Sequence, residues 1–122
     1  MNWSAIAAIF LALAVGLGAF GAHGLRDRLD AYSLSIWEKA VFYHFIHSLG
    51  ILIASLMPRS SPVSGGACWA LAAGVLIFSG SLYTLALTGT RALGAITPIG
   101  GLCFIAGWLL LAWHFIATPG KL

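Results

Sequence analysis

Four long apolar stretches make up most of this chain, and they constrain its fold more than any other feature. They cover about residues 3–22, 37–57, 67–88 and 98–117. Each approximates the roughly 20 residues that an α-helix needs to cross the hydrocarbon core of a bilayer. The sequence therefore predicts an all-α fold: an integral membrane four-helix transmembrane bundle, with residues 1–122 forming a single transmembrane domain.

Charged residues are too scarce to cover a water-exposed surface. Only 7% of the 122 residues are charged and 61% are hydrophobic, whereas a soluble domain carries about 25% charged residues. The expected partner is therefore the lipid bilayer. The net charge of +3 is scattered over short loops, and without a basic stripe we expect no nucleic-acid binding. The first stretch exceeds the roughly 7–15 apolar residues of a signal peptide, so we interpret it as a retained span.

The second stretch carries two ionisable rings, His44 and His47. At about 100° per residue, both fall on one helix face with small and polar residues, while Phe, Leu and Ile occupy the other face. We expect the bulky face to contact lipid and both histidines to point into protein. An ionisable residue inside a span is by default a candidate functional residue. Ser35 and Glu38 resemble a capping box that opens this helix, and Trp37 suits the headgroup belt.

Polar residues of all four stretches are expected to meet in the cytoplasmic half of the bundle. The second half of the third stretch is rich in hydroxyls, and Thr97 with Pro98 is a good helix start. His47 is expected to be neutral and to hydrogen-bond a hydroxyl of the third stretch. The predicted cluster, a candidate ligand site, comprises His23, Tyr43, His44, His47, Ser79, Ser81, Tyr83, Thr84 and Thr97.

Three functional classes fit this pattern. The leading one is a non-enzymatic structural or accessory membrane protein, in which the rings hydrogen-bond within the bundle. The second is an oligomeric small-solute or proton-conducting channel or transporter; Asp27, Asp30 and Glu38 lie at the interface, which argues against proton antiport through a buried carboxylate. The third is a quinone- or metal-binding membrane subunit, although the histidines lack a strong metal-ligand pattern. We expect no catalytic motif, cofactor or metal.

The positions of Lys and Arg predict the orientation. The first and third loops hold Arg26, Arg28, Lys39 and Arg91, whereas the other side holds Arg59 and Lys121. The positive-inside rule therefore places those two loops in the cytoplasm and both termini outside it.

Small residues and cysteines give two further expectations. Ala14, Gly18 and Ala22 form a small-xxx-small row in the first stretch, and the later stretches add more glycines. Such residues promote helix association in membranes, so we expect a homo-oligomer. Cys68 and Cys103 lie at different depths and are expected to be free thiols. The additional glycines are Gly74, Gly80, Gly100, Gly101 and Gly107.

Several sequence blocks together resemble a known family, the YgdD/YwdK family of small bacterial inner-membrane proteins. The resemblance covers most of the chain. It implies four spans and a multi-pass location in the bacterial inner (cell) membrane, and in that membrane the outside position predicted for both termini by the positive-inside rule is the periplasm. It implies no particular activity because the family is classed as of unknown function. The blocks are residues 20–25, Trp37 with Tyr43 and His47, residues 78–83, residues 93–101, and Gly107 with Trp108.

Overall fold

The computed structural model describes residues 1–58, 62–118 and 120. Its described residues form helices and no strand, so the all-α prediction is confirmed. A π-helical turn, Val75–Ser79, joins α3 to α4 without a break, and these three elements make up the third span. A 3₁₀ helix, Arg91–Ala95, leads into the last helix. The α-helices are α1 (Trp3–His23), α2 (Ala31–Ser55), α3 (Pro62–Gly74), α4 (Gly80–Thr88) and α5 (Thr97–Ala117).

Three of the four helical rods are long and apolar enough to cross a membrane by themselves: Trp3–His23, Val63–Thr88 and Arg91–Ala117. The fourth, α2, has 25 residues and is therefore about 38 Å long at 1.5 Å per residue. Its two histidines, Glu38 and Lys39 lower its mean hydropathy. The two histidines are buried inside the bundle, whereas Glu38 and Lys39 are exposed near the start of the helix.

The packing order of the spans explains this burial. Helix α1 packs mainly on α2, α2 packs on the third span, and α3 packs on α5. The second and third spans therefore lie in the middle of the molecule, and α1 and α5 lie on its outside. The buried residues of α2 include His44, His47 and Ser48, whereas α1 and α5 expose many large apolar side chains.

Helix α1 contacts α2 through small residues seven positions apart. Ala7, Ala14 and Gly21 are its buried residues. A Cβ at Gly21 would lie 2.5 Å from Cδ1 of Trp37, so this glycine makes room for the indole ring. The predicted small-residue row is used only in part: Ala14 is buried and Gly18 is half-buried, but Ala22 is exposed.

Glycines also allow α5 to approach the third span closely. A Cβ at Gly100 would lie 2.4 Å from the backbone nitrogen of Phe78. The corresponding atom at Gly74 would meet the Phe104 ring at 2.3 Å, and at Gly107 the Leu71 side chain at 2.7 Å. Three of the five glycines that suggested self-association are therefore needed for packing within one chain.

Two predictions about the start of the second span were wrong. The helix begins at Ala31, and Asp30 caps it by accepting a hydrogen bond from the Ser33 backbone N–H at 2.7 Å. Ser35 instead donates to the Tyr32 carbonyl. Trp37 does not lie in the headgroup belt: it is 3% exposed, and its Nε1 donates to the Leu17 carbonyl at 2.9 Å.

Candidate functional site: a buried histidine and hydroxyl cluster

His44 connects the second span to the third. Its side chain is buried, and Nδ1 lies 2.9 Å from the Tyr83 hydroxyl of α4. Either the half-buried tyrosine hydroxyl donates to Nδ1 or a protonated Nδ1 donates to the hydroxyl, because the direction depends on the tautomer of the ring. The bond therefore joins two spans.

His47 is held mainly by aromatic packing. Its ring lies flat on Phe104 of α5, with centroids 3.4 Å apart and planes inclined by 12°. Its Nδ1 donates to the Tyr43 carbonyl at 2.7 Å, one turn earlier in the same helix. The expected hydroxyl partner on the third span was therefore wrong, because Tyr83 pairs with His44 and the serines have other acceptors.

The hydroxyls of the third span make separate contacts to α2 and α5. Ser79 donates to the Ala40 carbonyl of α2 at 2.8 Å and is 1% exposed. The Ser81 hydroxyl lies 2.6 Å from the Thr97 hydroxyl at the start of α5. Thr97 is the first helical residue and does not cap, because the N-cap position is Ile96. These bonds tie the third span to both neighbours.

Not every residue of the predicted cluster joins it. His23 is exposed at the end of α1, and Thr84 is exposed and bonds the Gly80 carbonyl of its own helix at 2.9 Å. Tyr43 does join, since its ring packs on Phe78 at a centroid distance of 4.5 Å and stacks on His47 at 5.6 Å. The buried cluster therefore consists of His44, His47, Ser79 and Ser81, with Tyr43, Tyr83 and Thr97 half-buried at its edge.

The two histidines face different neighbours, and this decides what they can bind together. His44 contacts Tyr83 of α4, whereas His47 contacts Phe104 of α5. Within residues 1–58, 62–118 and 120, no group of three His, Cys, Asp or Glu side chains is placed to hold a metal ion. The geometry is that of hydrogen-bonded core residues rather than of converging ligands.

A second set of polar contacts lies at the end of the bundle that carries the two termini, and the sequence pattern did not reveal it. The Ser4 and Ser55 hydroxyls are 3.0 Å apart. Two further polar residues, Ser64 near the start of α3 and His114 near the end of α5, are also buried. Single serines spaced along apolar helices give no periodic signal.

Cys68 and Cys103 are both free, as predicted, and Cys68 is buried.

Comparison with known proteins identifies the family. Residues 17–101 match the family model described as "Protein of unknown function (DUF423)". The UPF0382 membrane protein SH2409 of Staphylococcus haemolyticus is 52% identical to the chain over 107 residues, covering 87% of this chain and 88% of that protein. The chain belongs to the UPF0382 (DUF423) membrane protein family.

Other UPF0382 relatives extend the match. The UPF0382 membrane protein YwdK of Bacillus subtilis is 43% identical over 109 residues, covering 87% of this chain and 89% of that protein. The UPF0382 membrane protein SAB0533 of Staphylococcus aureus is 48% identical over 100 residues, covering 81% and 82% of the two chains. The family resemblance seen in the sequence is thus confirmed, and so is the membrane location. No solved structure matches the chain.

Proposed function

We propose that this UPF0382 protein is a non-enzymatic structural or accessory protein of the bacterial inner (cell) membrane, and that its buried cluster stabilises the bundle. The observation that carries the proposal is the environment of His47. The ring lies against Phe104 and Nδ1 donates to the Tyr43 carbonyl. A ring packed in this way behaves as an aromatic core residue rather than as an ion or proton relay.

The other members of the cluster support the same role. Ser79 bonds the backbone of α2, Ser81 bonds Thr97 of α5, and Tyr83 bonds His44. Interhelical hydrogen bonds of this kind contribute about 0.6 kcal/mol each on average in membrane proteins. These bonds also fix how the spans are aligned, since each pair can form its hydrogen bond at only one register of the neighbouring spans.

The proposal includes an orientation with both termini outside the cytoplasm. Arg26, Arg28 and Arg91 are exposed at the end of the bundle opposite the termini, and such residues are retained on the cytoplasmic side. Arg59 and Lys121, which were counted for the other side, lie outside the described residues.

The proposal also includes self-association through α1. Ala8, Ala12 and Gly16 are exposed at four-residue spacing on this outer helix, and a Cβ at Gly16 would meet nothing within 4 Å. Such a row allows a second helix to approach closely. Gly16→Leu should therefore lower the oligomeric mass measured in nanodiscs, whereas Gly65→Leu, equally unobstructed within one chain, should leave it unchanged.

Flux through proteoliposomes tests the function directly. Wild-type protein is expected to add no proton or small-solute permeability above that of protein-free liposomes. Flux that depends on protein and disappears in both His47→Gln and His47→Leu would establish the channel alternative instead. Thermal unfolding of His47→Leu and His47→Phe provides the structural readout, because a stabilising role through ring stacking lowers the melting temperature of His47→Leu more than that of His47→Phe.

A further inference from the structure

An open cavity lies at the end of the bundle opposite the termini, between the start of the second span and the end of the third. Its volume is about 570 Å³, and its wall includes Asp30 and Arg91. Asp30 is the N-cap of α2, and Arg91 is the first residue of the 3₁₀ helix that follows α4. Helices α2 and α4 pack on each other, so the cavity brings a carboxylate and a guanidinium to the same end of this helix pair.

The two charges of this cavity do not neutralise each other. The Ser33 backbone N–H, and then its hydroxyl, hold the pKa of Asp30 below its ordinary value of 3.8, so the carboxylate is ionised at pH 7 without the help of a cation. Arg91 is exposed and always charged, and it forms no ion pair with any residue that the structure describes. A simple anion in the cavity would meet the carboxylate, and a simple cation would meet the guanidinium. A ligand that carries both charges fits better than either.

The position of the cavity indicates what kind of ligand carries these charges. The third span ends at Thr88, so Arg91 lies just beyond it, at the level of the lipid headgroups. Part of the wall is apolar, because Ile36 and Leu85 also line the cavity and lie further into their spans than the two charges do. At about 1.5 Å per residue, Ile36 is about 9 Å deeper than Asp30. The cavity therefore suits an amphiphile whose charged part lies at the headgroup level.

We propose that this cavity binds the headgroup of a phospholipid that carries both a phosphate and a primary amine, as phosphatidylethanolamine does. The Arg91 guanidinium donates to the phosphate oxygens, whose geometry its forked donors match, and the Asp30 carboxylate accepts from the ammonium group. Both hydrogen bonds are charge-assisted. The glycerol and the first part of the acyl chains lie on Ile36 and Leu85. This site is separate from the histidine cluster and goes beyond the structural role proposed for that cluster.

Native mass spectrometry of the full chain in detergent tests this site by titration with two lipids of identical acyl chains. Phosphatidylglycerol carries the same phosphate as phosphatidylethanolamine but no amine. Wild-type protein should bind phosphatidylethanolamine at least about threefold more tightly, which is within what one exposed ion pair contributes. Equal affinities, or tighter binding of phosphatidylglycerol, would overturn the proposal. Soluble phosphoethanolamine at the same concentration should not displace the lipid, and displacement would show that the cavity recognises a free phosphate compound instead of a lipid.

Charge variants show whether this preference comes from the cavity. Asp30→Asn retains a good N-cap residue but loses the charge, so it should bind both lipids equally. Arg91→Gln should weaken the binding of phosphatidylethanolamine at least about threefold. Arg26→Gln is the matched control, because Arg26 is exposed and does not line the cavity, and it should bind as wild type does. A preference that survives in Asp30→Asn, or equal losses in Arg91→Gln and Arg26→Gln, would overturn the proposal.

Filling the cavity provides a test that does not depend on charge. Gly94 lines the cavity, and a Cβ there would meet nothing within 4 Å, so a larger side chain can enter the open space. Gly94→Leu should weaken the binding of phosphatidylethanolamine at least about tenfold, equivalent to 1.4 kcal/mol. Gly65→Leu, equally unobstructed but outside the cavity, should bind as wild type does. The melting temperature reports the fold of both variants, and Gly94→Ala replaces Gly94→Leu if the larger side chain prevents folding. Equal binding by wild type and the folded Gly94 variant would overturn the proposal.

Discussion

The imidazole of His47 lies parallel to the ring of Phe104, with 3.4 Å between the ring centroids. This contact joins α2 to α5, whose backbones approach each other at few positions because the third span lies between them. It places an ionisable residue where an aromatic one would also fit. A substitution at His47 should therefore change the stability of the bundle rather than remove a group whose protonation the protein uses.

Replacing His47 by leucine should lower the free energy of unfolding by about 1–2 kcal/mol, since aromatic stacking is worth about 0.5–1.5 kcal/mol and a membrane hydrogen bond about 0.6. His47→Phe keeps the stacked ring and should lose less. Melting temperatures in one detergent measure both. Greater damage from phenylalanine than from leucine would contradict the stacking role, because both variants lose the Tyr43 hydrogen bond equally.

The hydrogen bond between His44 and Tyr83 can be isolated by a double-mutant cycle. Tyr83→Phe removes only the hydroxyl, and it should destabilise the bundle by about 0.6–1.7 kcal/mol. The effect should nearly vanish when His44 is already leucine, because the partner is gone. Tyr32→Phe is the matched control, since Tyr32 is 71% exposed and its hydroxyl should matter little. Additive losses in the cycle would contradict the proposed pairing.

The sequence predicted the helices well because each apolar stretch has a simple length requirement. It also predicted that His44 and His47 point inward, since the small and bulky faces of α2 are clearly separated. The hydrogen-bond partners of these side chains were harder to predict. Tyr83 and Ser79 lie within one turn of each other, and a rotation of the third span of a few tens of degrees would exchange their neighbours.

The π-helical turn explains part of that difficulty. Residues Val75–Ser79 change the angular spacing that an α-helical projection assumes, so the faces before and after the turn do not align. Trp37 shows a related failure. Its position near a span end suggested the headgroup belt, but Gly21 on the facing helix leaves space for the indole. Complementarity between two distant residues is not visible in a local pattern.

Asp30 should stabilise the start of α2 in a pH-dependent manner. The Ser33 backbone N–H, and then its hydroxyl, hold the pKa of this carboxyl below its ordinary value of 3.8. A carboxyl whose pKa is lowered by folding stabilises the protein above the ordinary value, and this contribution is lost as the pH falls through the lowered value. Asp30→Ala should therefore melt below wild type at pH 7, and the difference should shrink as the pH drops below about 3.8. The neutral cap of Asp30→Asn should remove this pH dependence.

Orientation can be tested by a reporter at the C-terminus. The reporter is expected outside the cytoplasm, because four of the six Lys and Arg lie towards the end of the bundle opposite the termini, and basic residues near span ends are retained inside. Arg26→Gln with Arg28→Gln leaves two basic residues on each side, so the double variant should give a mixed orientation. A cytoplasmic reporter in the wild type would contradict this orientation and would place the polar cluster in the outer half of the membrane.

Adjacent glycines in α5 provide the sharpest test of the packing. A Cβ at Gly100 would lie 2.4 Å from the backbone nitrogen of Phe78, whereas one at Gly101 would lie 4.0 Å from the nearest atom, Cδ2 of the same residue. Backbone cannot move aside as a flexible side chain can, so Gly100→Ala must separate α5 from the third span. We expect it to cost about 1–3 kcal/mol, as overpacking does. Gly101→Ala should be neutral or slightly stabilising, since alanine favours the helix by up to about 1 kcal/mol over glycine. Unfolding measured side by side on these two variants checks the α5 contact, and equal melting temperatures would show that the two helices are not packed at this point.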